Sequence, residues 1–462
     1  MIRAFLLVAL LVLLPAVLLP ASLAVASPAQ PGTESAAAPA AGETAGTAEG
    51  PLFGAALEWG GDTAAGFAER LGATPAMFGH DIAFPLQESE KVHIREFFRQ
   101  SDSQGAHALL TVKPSRSLDQ VSGGDAAAFA RTVEQLRSGF QGRLYIRFAP
   151  DMNTSWVSWG QQPEAYRNAF RAVAAAFKSQ DDAGTVMVWQ PFLGRDYPFQ
   201  RNRNAAAQGS DGFRLLDTNG DGRWDGADNA YSPYYPGDDA VEWAGLGAYH
   251  DDTGGASAVN TLPPDGELAG MLTGSEGRGG YGDFYLDYVQ GRSKPLMLQT
   301  AAFFSSTTGG PAESEIKLAW WNQVLDVASS PRFGKIGAGV WDERTSTRDT
   351  GVAAIDWRLT GQPGIATAAG ARLADSSLVT GPVTASGRLA GDESGGVWKV
   401  LGGIAAWTTA GALAAVVVLL WLLPRFLPRA SGWAYGVPPF VIPGWTSCAA
   451  SPLCSWWSTT WA

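Results

Sequence analysis

The chain of 462 residues has few cysteines, little charge and no basic runs. Its two cysteines, Cys448 and Cys454, both lie near the C-terminus, so the rest of the chain has no disulfides even if it is exported. Charged residues make up 17% of the chain, and the formal net charge is −11. Nucleic-acid binding requires clustered lysine and arginine to neutralise phosphates. We therefore expect no nucleic-acid partner.

The N-terminus has the three parts of a secretory signal peptide. Arg3 precedes an apolar run over residues 4–19, and Ala24-Val25-Ala26 supplies the small residues of a cleavage site. This predicts a signal peptide over residues 1–26, with an uncleaved signal anchor as the alternative. Both alternatives predict that the body of the chain is exported. Residues 27–50, rich in Ala, Pro, Gly and Thr, are predicted to be a disordered linker.

The C-terminal part of the chain predicts attachment to a membrane. Residues 400–423 are apolar and uncharged, which is long enough for one transmembrane helix across about 30 Å of hydrocarbon. Arg425 and Arg429 come directly after it, and positive charge favours the cytoplasmic side. We expect residues 424–462 to be a cytoplasmic tail and the residues before the helix to be extracellular, at the cell membrane. Residues 361–398, rich in Gly, Ala and Ser, are predicted to be a linker.

The body of the chain, residues 51–360, alternates short apolar runs with longer amphipathic ones. This pattern is typical of parallel strands joined by helices, and eight strands favour a closed (β/α)8 TIM barrel over an open sheet. The clearest helix spans residues 163–179, with apolar side chains recurring along one face. The predicted strands are Leu52–Leu57, Pro75–Phe78, His107–Val112, Leu144–Phe148, Thr185–Trp189, Trp243–Tyr249, Pro295–Gln299 and Ile336–Trp341.

Polar and aromatic residues gather where these predicted strands end. In a TIM barrel the active site is built at the carboxyl ends of the strands. We therefore expect these residues to form a cleft there. They include Glu58, His80, Asp81, Lys113, Asp151, Asn153, Trp156, Trp159, Tyr249, Gln299, Trp341, Asp342 and Glu343.

The segment from Arg147 to Gly160, RFAPDMNTSWVSWG, resembles the strand-four motif of glycoside hydrolase family 26, known for β-mannanases. The block Tyr235–Asp238 supports it, and the resemblance spans about residues 51–360. Weaker matches occur at Val186–Trp189, Gly245–Tyr249, Lys294–Thr300 and Asp356–Arg358. The resemblance implies retaining hydrolysis of β-1,4-linked glycans, commonly mannans. In such a reaction a Glu after strand four is the acid/base and a Glu on strand seven is the nucleophile.

This chain departs from the family pattern at both catalytic positions. Asp151 occupies the acid/base position and Gln299 the nucleophile position, and an amide cannot form a glycosyl ester. Two interpretations stay open. Hydrolysis continues with a relocated carboxylate from strand eight or strand one, or the barrel is an inactive polysaccharide-binding protein. The expected substrate-binding residues are Arg147, Asn153, Tyr249 and His80, with Trp156, Trp159 and Trp341 stacking on sugar rings.

Residues 217–228 have the spacing of an EF-hand calcium loop. Oxygen-bearing side chains fall at loop positions 1, 3, 5, 9 and 12, and a glycine falls at position 6. The sequence therefore predicts one structural calcium ion in the insertion between strands five and six. Its expected ligands are Asp217, Asn219, Asp221, the Arg223 carbonyl, Asp225 and Asp228.

Overall fold

The structure is a computed structural model that describes residues 50–180, 184–200, 205–250, 259–275, 281–346 and 355–383. The predicted signal peptide, the transmembrane helix over 400–423 and the tail over 424–462 lie outside these residues. So does the predicted linker 27–50, apart from its last residue. Within the described part, no helix is both long and apolar enough to cross a membrane.

Eight parallel strands form a closed barrel in chain order, with β8 paired back to β1. This confirms the predicted TIM-like α/β fold. Apart from β2, which runs six residues further than expected, each strand begins and ends within two residues of its predicted bounds. The strands are β1 (Leu52–Leu57), β2 (Met77–Phe84), β3 (His107–Pro114), β4 (Leu144–Phe148), β5 (Thr185–Trp189), β6 (Trp243–Gly247), β7 (Leu296–Thr300) and β8 (Ile336–Glu343).

Helices surround the barrel and pack their apolar faces on its outer side. The long helix α4 begins with a proline in its first turn and buries Tyr166, Phe170, Val173 and Phe177 along the predicted face. A short antiparallel pair, β9 (Thr345–Ser346) with β10 (Ile355–Asp356), comes after β8. The helices are α1 (Ala64–Leu71), α2 (Glu90–Ser103), α3 (Gly123–Leu136), α4 (Pro163–Lys178), α5 (Asp211–Leu216), α6 (Glu267–Thr273), α7 (Glu313–Ser329) and α8 (Pro363–Ala374).

The chain remains part of the fold after residue 360, where the sequence predicts a linker. Helix α8 buries Ile365, Ala369 and Leu373, and Val379 then pairs with Leu52 at the amino end of β1. The small residues that suggest a linker are there for close packing. A Cβ at Gly370 would lie 1.9 Å from the Leu71 carbonyl oxygen of α1. Residues 361–383 are therefore a structural part of the barrel, which corrects the predicted linker over this range.

Candidate active site

A polar layer lies inside the barrel, between its apolar core and the carboxyl ends of the strands. Side chains two residues apart on a strand point to the same side of the sheet. Tyr145 and Met297 belong to the apolar cluster inside the barrel. Two residues further along the same strands are Arg147 and Gln299, both buried. On β8, Asp342 lies two residues after the interior Val340 and is 7% exposed, so it points to the same side.

Arg147 organises this layer. It is only 1% exposed, and its guanidinium contacts three neutral side chains, which lie on β3, directly after β5 and on β7. Nη1 donates to Oε1 of Gln190 at 2.8 Å and to Oε1 of Gln299, while Nη2 donates to Oγ1 of Thr111 at 2.6 Å. Burial lowers the pKa of Arg147, although nearby carboxylates favour its charged form. The Gln299 amide oxygen is therefore held against the cation.

Asp151 lies just beyond the end of β4. Its backbone is in the left-handed region, with φ at 60°, and its N–H donates to the Gln190 carbonyl at 3.0 Å. Burial raises the pKa of Asp151 to about 6, even though Arg147 and Lys113 oppose the rise. A carboxyl with this pKa holds or releases a proton near neutral pH. It has the property required of a general acid/base.

A gap at Gly247 connects the candidate residues. Gly247 on β6 is the register partner of Gln299 on β7. A Cβ at this position would lie 3.5 Å from Oδ1 of Asp151 and 3.6 Å from the ring of Tyr249. The structure therefore brings Asp151, Tyr249 and Gln299 to the same end of the barrel. The gap is the Cβ position above Gly247, and Phe192, Asp151 and Tyr249 border it at 3.4 to 3.6 Å.

Alternating charges surround Asp342. The Tyr249 hydroxyl donates to Oδ2 of Asp342 at 3.2 Å, and Nε of Arg344 donates to Oδ1 at 2.7 Å. Arg344 also reaches Asp81, at 3.1 Å, which accepts from Lys113 at 2.5 Å. Burial alone would raise the pKa of Asp81, but Arg344 and Lys113 hold it well below its usual range. These ion pairs hold the Asp342 side chain in the barrel interior, near the carboxyl end of β8.

The other two carboxylates that the sequence offers as replacements have different surroundings. Glu343 faces the outer side of the barrel, where its carboxylate accepts from the backbone N–H groups of Leu359 and Thr360 at 2.7 and 2.9 Å. Burial raises the pKa of Glu343. Glu58 is exposed, and its carboxylate lies 3.4 Å from the Thr345 hydroxyl. Of the three, Asp342 is the one that joins the interior polar layer.

An aromatic strip leads outward from the gap. Tyr249 stacks on Phe192, with ring centres 6.1 Å apart and an interplanar angle of 16°. Trp156 packs edge-on against both Phe192 and Phe199, at 5.2 and 5.1 Å. Trp156 is 57% exposed, which is unusual for so large an apolar side chain. Its free face is available to stack on a sugar ring.

Two predicted aromatic residues do not reach this cleft. Trp341 is 1% exposed and packs at 5.6 Å against Trp321 of α7, on the outer side of the barrel. A buried indole offers no face to a ligand, which corrects the prediction for Trp341. Trp159 is also buried, and its Nε1–H donates to the Pro150 carbonyl at 2.7 Å. Trp159 shapes the loop after β4.

His80 and Asn153 likewise support the barrel wall. The His80 ring lies 6.0 Å from Trp59 and 5.3 Å from Phe97 of α2, on the outer side of β2. Burial lowers its pKa. The Asn153 amide makes two hydrogen bonds to the backbone of Phe192. Its Nδ2 donates to the Phe192 carbonyl, and its Oδ1 accepts from the Phe192 N–H. Both side chains are therefore structural, which corrects their predicted roles.

Three residues of the site are missing from the sequence prediction. Gln190 is the next inward position after the interior Val188 of β5, so extending the strand by its two-residue period would have found it. Phe192 and Arg344 lie in loops beyond the strand ends. No local pattern in the sequence identifies them, because their positions depend on tertiary contacts.

The predicted calcium loop adopts tight turns. Gly222, at loop position 6, has a left-handed φ of 82° and donates its N–H to Oδ2 of Asp217 at 2.9 Å. Asp228, at position 12, accepts from the N–H groups of Thr218 and Asp225 at 2.6 and 2.8 Å. Within the described residues, no group of three or more His, Cys, Asp or Glu side chains is placed to hold a metal ion.

Comparison with known proteins gives structural matches at low sequence identity. No protein-family model matches the chain. The search of curated proteins also found no match. A GH26 β-mannanase from Bacteroides ovatus matches at 14% identity and a TM-score of 0.47, over 75% of this chain and 95% of the other. The GH26 domain of an endo-β-mannanase/endo-β-glucanase from Prevotella bryantii matches at 12% identity and 0.39, over 72% and 91%.

A further match is the mannanase man26 of Bacillus subtilis, at 14% identity and a TM-score of 0.36, over 64% of this chain and 80% of the other. The chain thus resembles GH26 β-mannanases in structure at low identity. The fold itself is established by the closed eight-strand topology.

Proposed function

We propose that this barrel recognises and acts on a β-1,4-linked polysaccharide of the mannan type, as a glycoside-hydrolase-like protein. The observation that carries the proposal is the position of Asp151, a carboxyl with a pKa of about 6, at the carboxyl end of the barrel beside an aromatic strip that ends in the exposed Trp156. A protonated carboxyl can deliver a proton to a leaving glycosidic oxygen. Trp156 would hold a sugar ring by stacking.

The retaining reaction implied by the family resemblance lacks its nucleophile in this chain. It needs a carboxylate at position 299, and Gln299 is a neutral amide bonded to Arg147. Asp151 is also one methylene shorter than the expected Glu. Hydrolysis in this protein therefore requires a nucleophile or base from elsewhere in the site.

The second candidate function is polysaccharide binding without hydrolysis. The bond between Arg147 and Gln299 favours it, because it uses the amide as a structural acceptor in the position where hydrolysis needs a carboxylate. In this case the aromatic strip and the charged groups would serve recognition alone.

Incubation of the full chain with β-mannan and with a β-1,4-glucan separates these functions. Release of reducing sugar above that of an Asp151→Asn variant supports hydrolysis. Saturable binding without release supports the binding protein. Absence of both binding and release, in a protein that melts cooperatively, contradicts the polysaccharide proposal.

We propose that the protein is exported and held at the cell membrane with the barrel outside. The support is in the sequence, from the signal-peptide pattern of residues 1–26 and the apolar stretch 400–423 with arginines directly after it. Protease added to intact cells should degrade the barrel, and alkaline carbonate should leave the chain in the membrane pellet. A barrel protected in intact cells, or released by carbonate, contradicts the proposal.

We propose a structural calcium ion in the loop of residues 217–228. Support comes from the ligand spacing, the acidic side chains and the left-handed Gly222, which permits the turn at position 6. Calcium would brace the wall that carries Trp224 and take no part in the chemistry. Calcium should raise the melting temperature of the full chain and EGTA should lower it. An Asp217→Ala variant that responds equally to calcium contradicts the site.

A further inference from the structure

The arrangement of Tyr249, Asp342 and Arg344 has the form of an activated nucleophile. A nucleophile and its base are recognised by a hydrogen bond between them, with the base oriented by a third group. The Tyr249 hydroxyl donates to one oxygen of Asp342 at 3.2 Å, and Arg344 holds the other oxygen at 2.7 Å. Arg344 is itself anchored on Asp81.

The phenol ring is fixed so that it borders the same gap as Asp151. Phe192 stacks on one side of Tyr249, and Trp357 packs edge-on at 5.6 Å. The position above Gly247 lies 3.6 Å from the Tyr249 ring and 3.5 Å from Oδ1 of Asp151. An atom placed in this gap would contact both side chains.

We propose that Tyr249 is the nucleophile of a covalent glycoside hydrolysis, with Asp342 as its base and Asp151 as the acid. This role replaces the carboxylate that position 299 lacks. It rests on the proposed function, since it requires a glycan in the cleft. Tyrosine is a known alternative nucleophile in other glycosidases.

The first step forms an aryl glycoside. Asp151 protonates the glycosidic oxygen, and the bond from this oxygen to the anomeric carbon breaks. The phenolic oxygen of Tyr249 bonds to the anomeric carbon while its proton passes to Asp342. Burial and the carboxylates of Asp342 and Asp151 raise the pKa of Tyr249, so the proton must leave during the attack and not before it.

The second step releases the sugar. Asp151, now a carboxylate, takes a proton from water, and the water oxygen bonds to the anomeric carbon. The bond from this carbon to the Tyr249 oxygen breaks, and Tyr249 recovers its proton from Asp342. Two displacements at one carbon retain its configuration, and no metal or redox partner is consumed.

A covalent trap tests this role. The full chain is incubated with 2,4-dinitrophenyl 2-deoxy-2-fluoro-β-D-mannoside, digested, and mapped by mass spectrometry. We expect one fluoromannosyl group on Tyr249. Tyr249→Phe should remove the label, and Asp342→Asn should slow labelling by about 10²- to 10⁴-fold, the range of a general base.

The chain supplies a matched control outside the barrel interior. The Tyr235 hydroxyl donates to Asp238 at 2.6 Å, and Arg292 pairs with the same carboxylate. These three residues carry the same chemical groups as Tyr249, Asp342 and Arg344, but they lie outside the barrel interior. Tyr235→Phe should therefore leave labelling unchanged, and melting temperatures of all variants verify folding.

The outcomes separate this inference from the function on which it rests. A label on Tyr249 supports it. A label on Asp151 or Asp342, turnover of mannan with unchanged rate in Tyr249→Phe, or inversion at the anomeric carbon overturns it. Binding of β-1,4-mannohexaose with neither label nor turnover also overturns it, while leaving polysaccharide binding intact. Absence of binding and turnover overturns the proposed function as well.

Discussion

Arg147 on β4 donates a hydrogen bond to the side chain of Gln299 on β7, across the interior of the barrel. Gln190, directly after β5, contacts both of them, since it accepts from Arg147 and donates to Gln299. A buried arginine thus has neutral partners at the position where the family resemblance implies a carboxylate. Any hydrolysis at this site would therefore depend on Asp151 and on residues other than Gln299.

Gln299→Glu should create or raise hydrolysis of β-mannan by about 10-fold or more. The introduced carboxylate would replace the amide beside Arg147 and restore the two-carboxyl arrangement that retaining hydrolysis uses. Reducing-sugar release by the full chain measures the effect. Gln190→Glu is the matched control, because it adds the same charge next to Arg147, directly after the neighbouring strand β5. Equal rates in both variants and the wild type would contradict the assignment of position 299.

The raised pKa of Asp151 predicts that the stability of the fold depends on pH. Its pKa is raised to about 6, above the roughly 3.9 of an unfolded aspartate, so folding favours the protonated form. Its contribution to stability is complete below pH 4 and is lost as pH rises through 6. Asp151→Asn should therefore be more stable than wild type above pH 7, by up to about 3 kcal/mol, and equal below pH 4.

Unfolding of the full chain over a pH series measures this difference. Asp326→Asn provides a control, since it removes a carboxylate at an exposed position of α7. The same titration affects activity, because a general acid must be protonated: hydrolysis should fall as pH rises above about 6. A stability difference that does not change with pH would contradict the buried environment of Asp151.

The buried carboxylate of Glu343 is expected to contribute to the stability of the fold. Its buried carboxylate accepts from the N–H groups of Leu359 and Thr360, which fixes the chain between β10 and α8. Glu343→Ala should destabilise the protein by about 2 to 4 kcal/mol, because two buried donors lose a charged acceptor. Glu58→Ala, at an exposed position, should change the free energy of unfolding by less than about 0.5 kcal/mol. Equal effects in the two variants would contradict the placement.

The sequence predicted the barrel because its strands are short apolar runs separated by amphipathic helices. It did not predict which side chains point into the barrel and which point toward the helices. Asp81 and Asp342 face the interior while their neighbours His80 and Trp341 face the helices. Strands of a parallel barrel are buried on both sides, so no polar alternation in the sequence distinguishes the two. The inward side is set by strand register, which appears only in the fold.

The predicted linker was wrong over residues 361–383 for a related reason. Helix α8 is rich in Ala and Gly because it approaches α1 closely, as the contact at Gly370 shows. Composition alone does not separate such a helix from a flexible segment. Trp156, in contrast, was found by a family motif, and its exposure in the structure is compatible with the predicted stacking.

Titration of the full chain with β-1,4-mannohexaose, measured by calorimetry, tests the central claim most directly. We predict saturable binding that weakens by about 10-fold or more in Trp156→Ala, since stacking on an exposed indole is lost without loss of stability. Trp341→Ala serves as the contrast and should lower stability by about 3 to 5 kcal/mol. No saturable binding by the folded chain, or equal affinity in wild type and Trp156→Ala, would contradict a polysaccharide site at this end of the barrel.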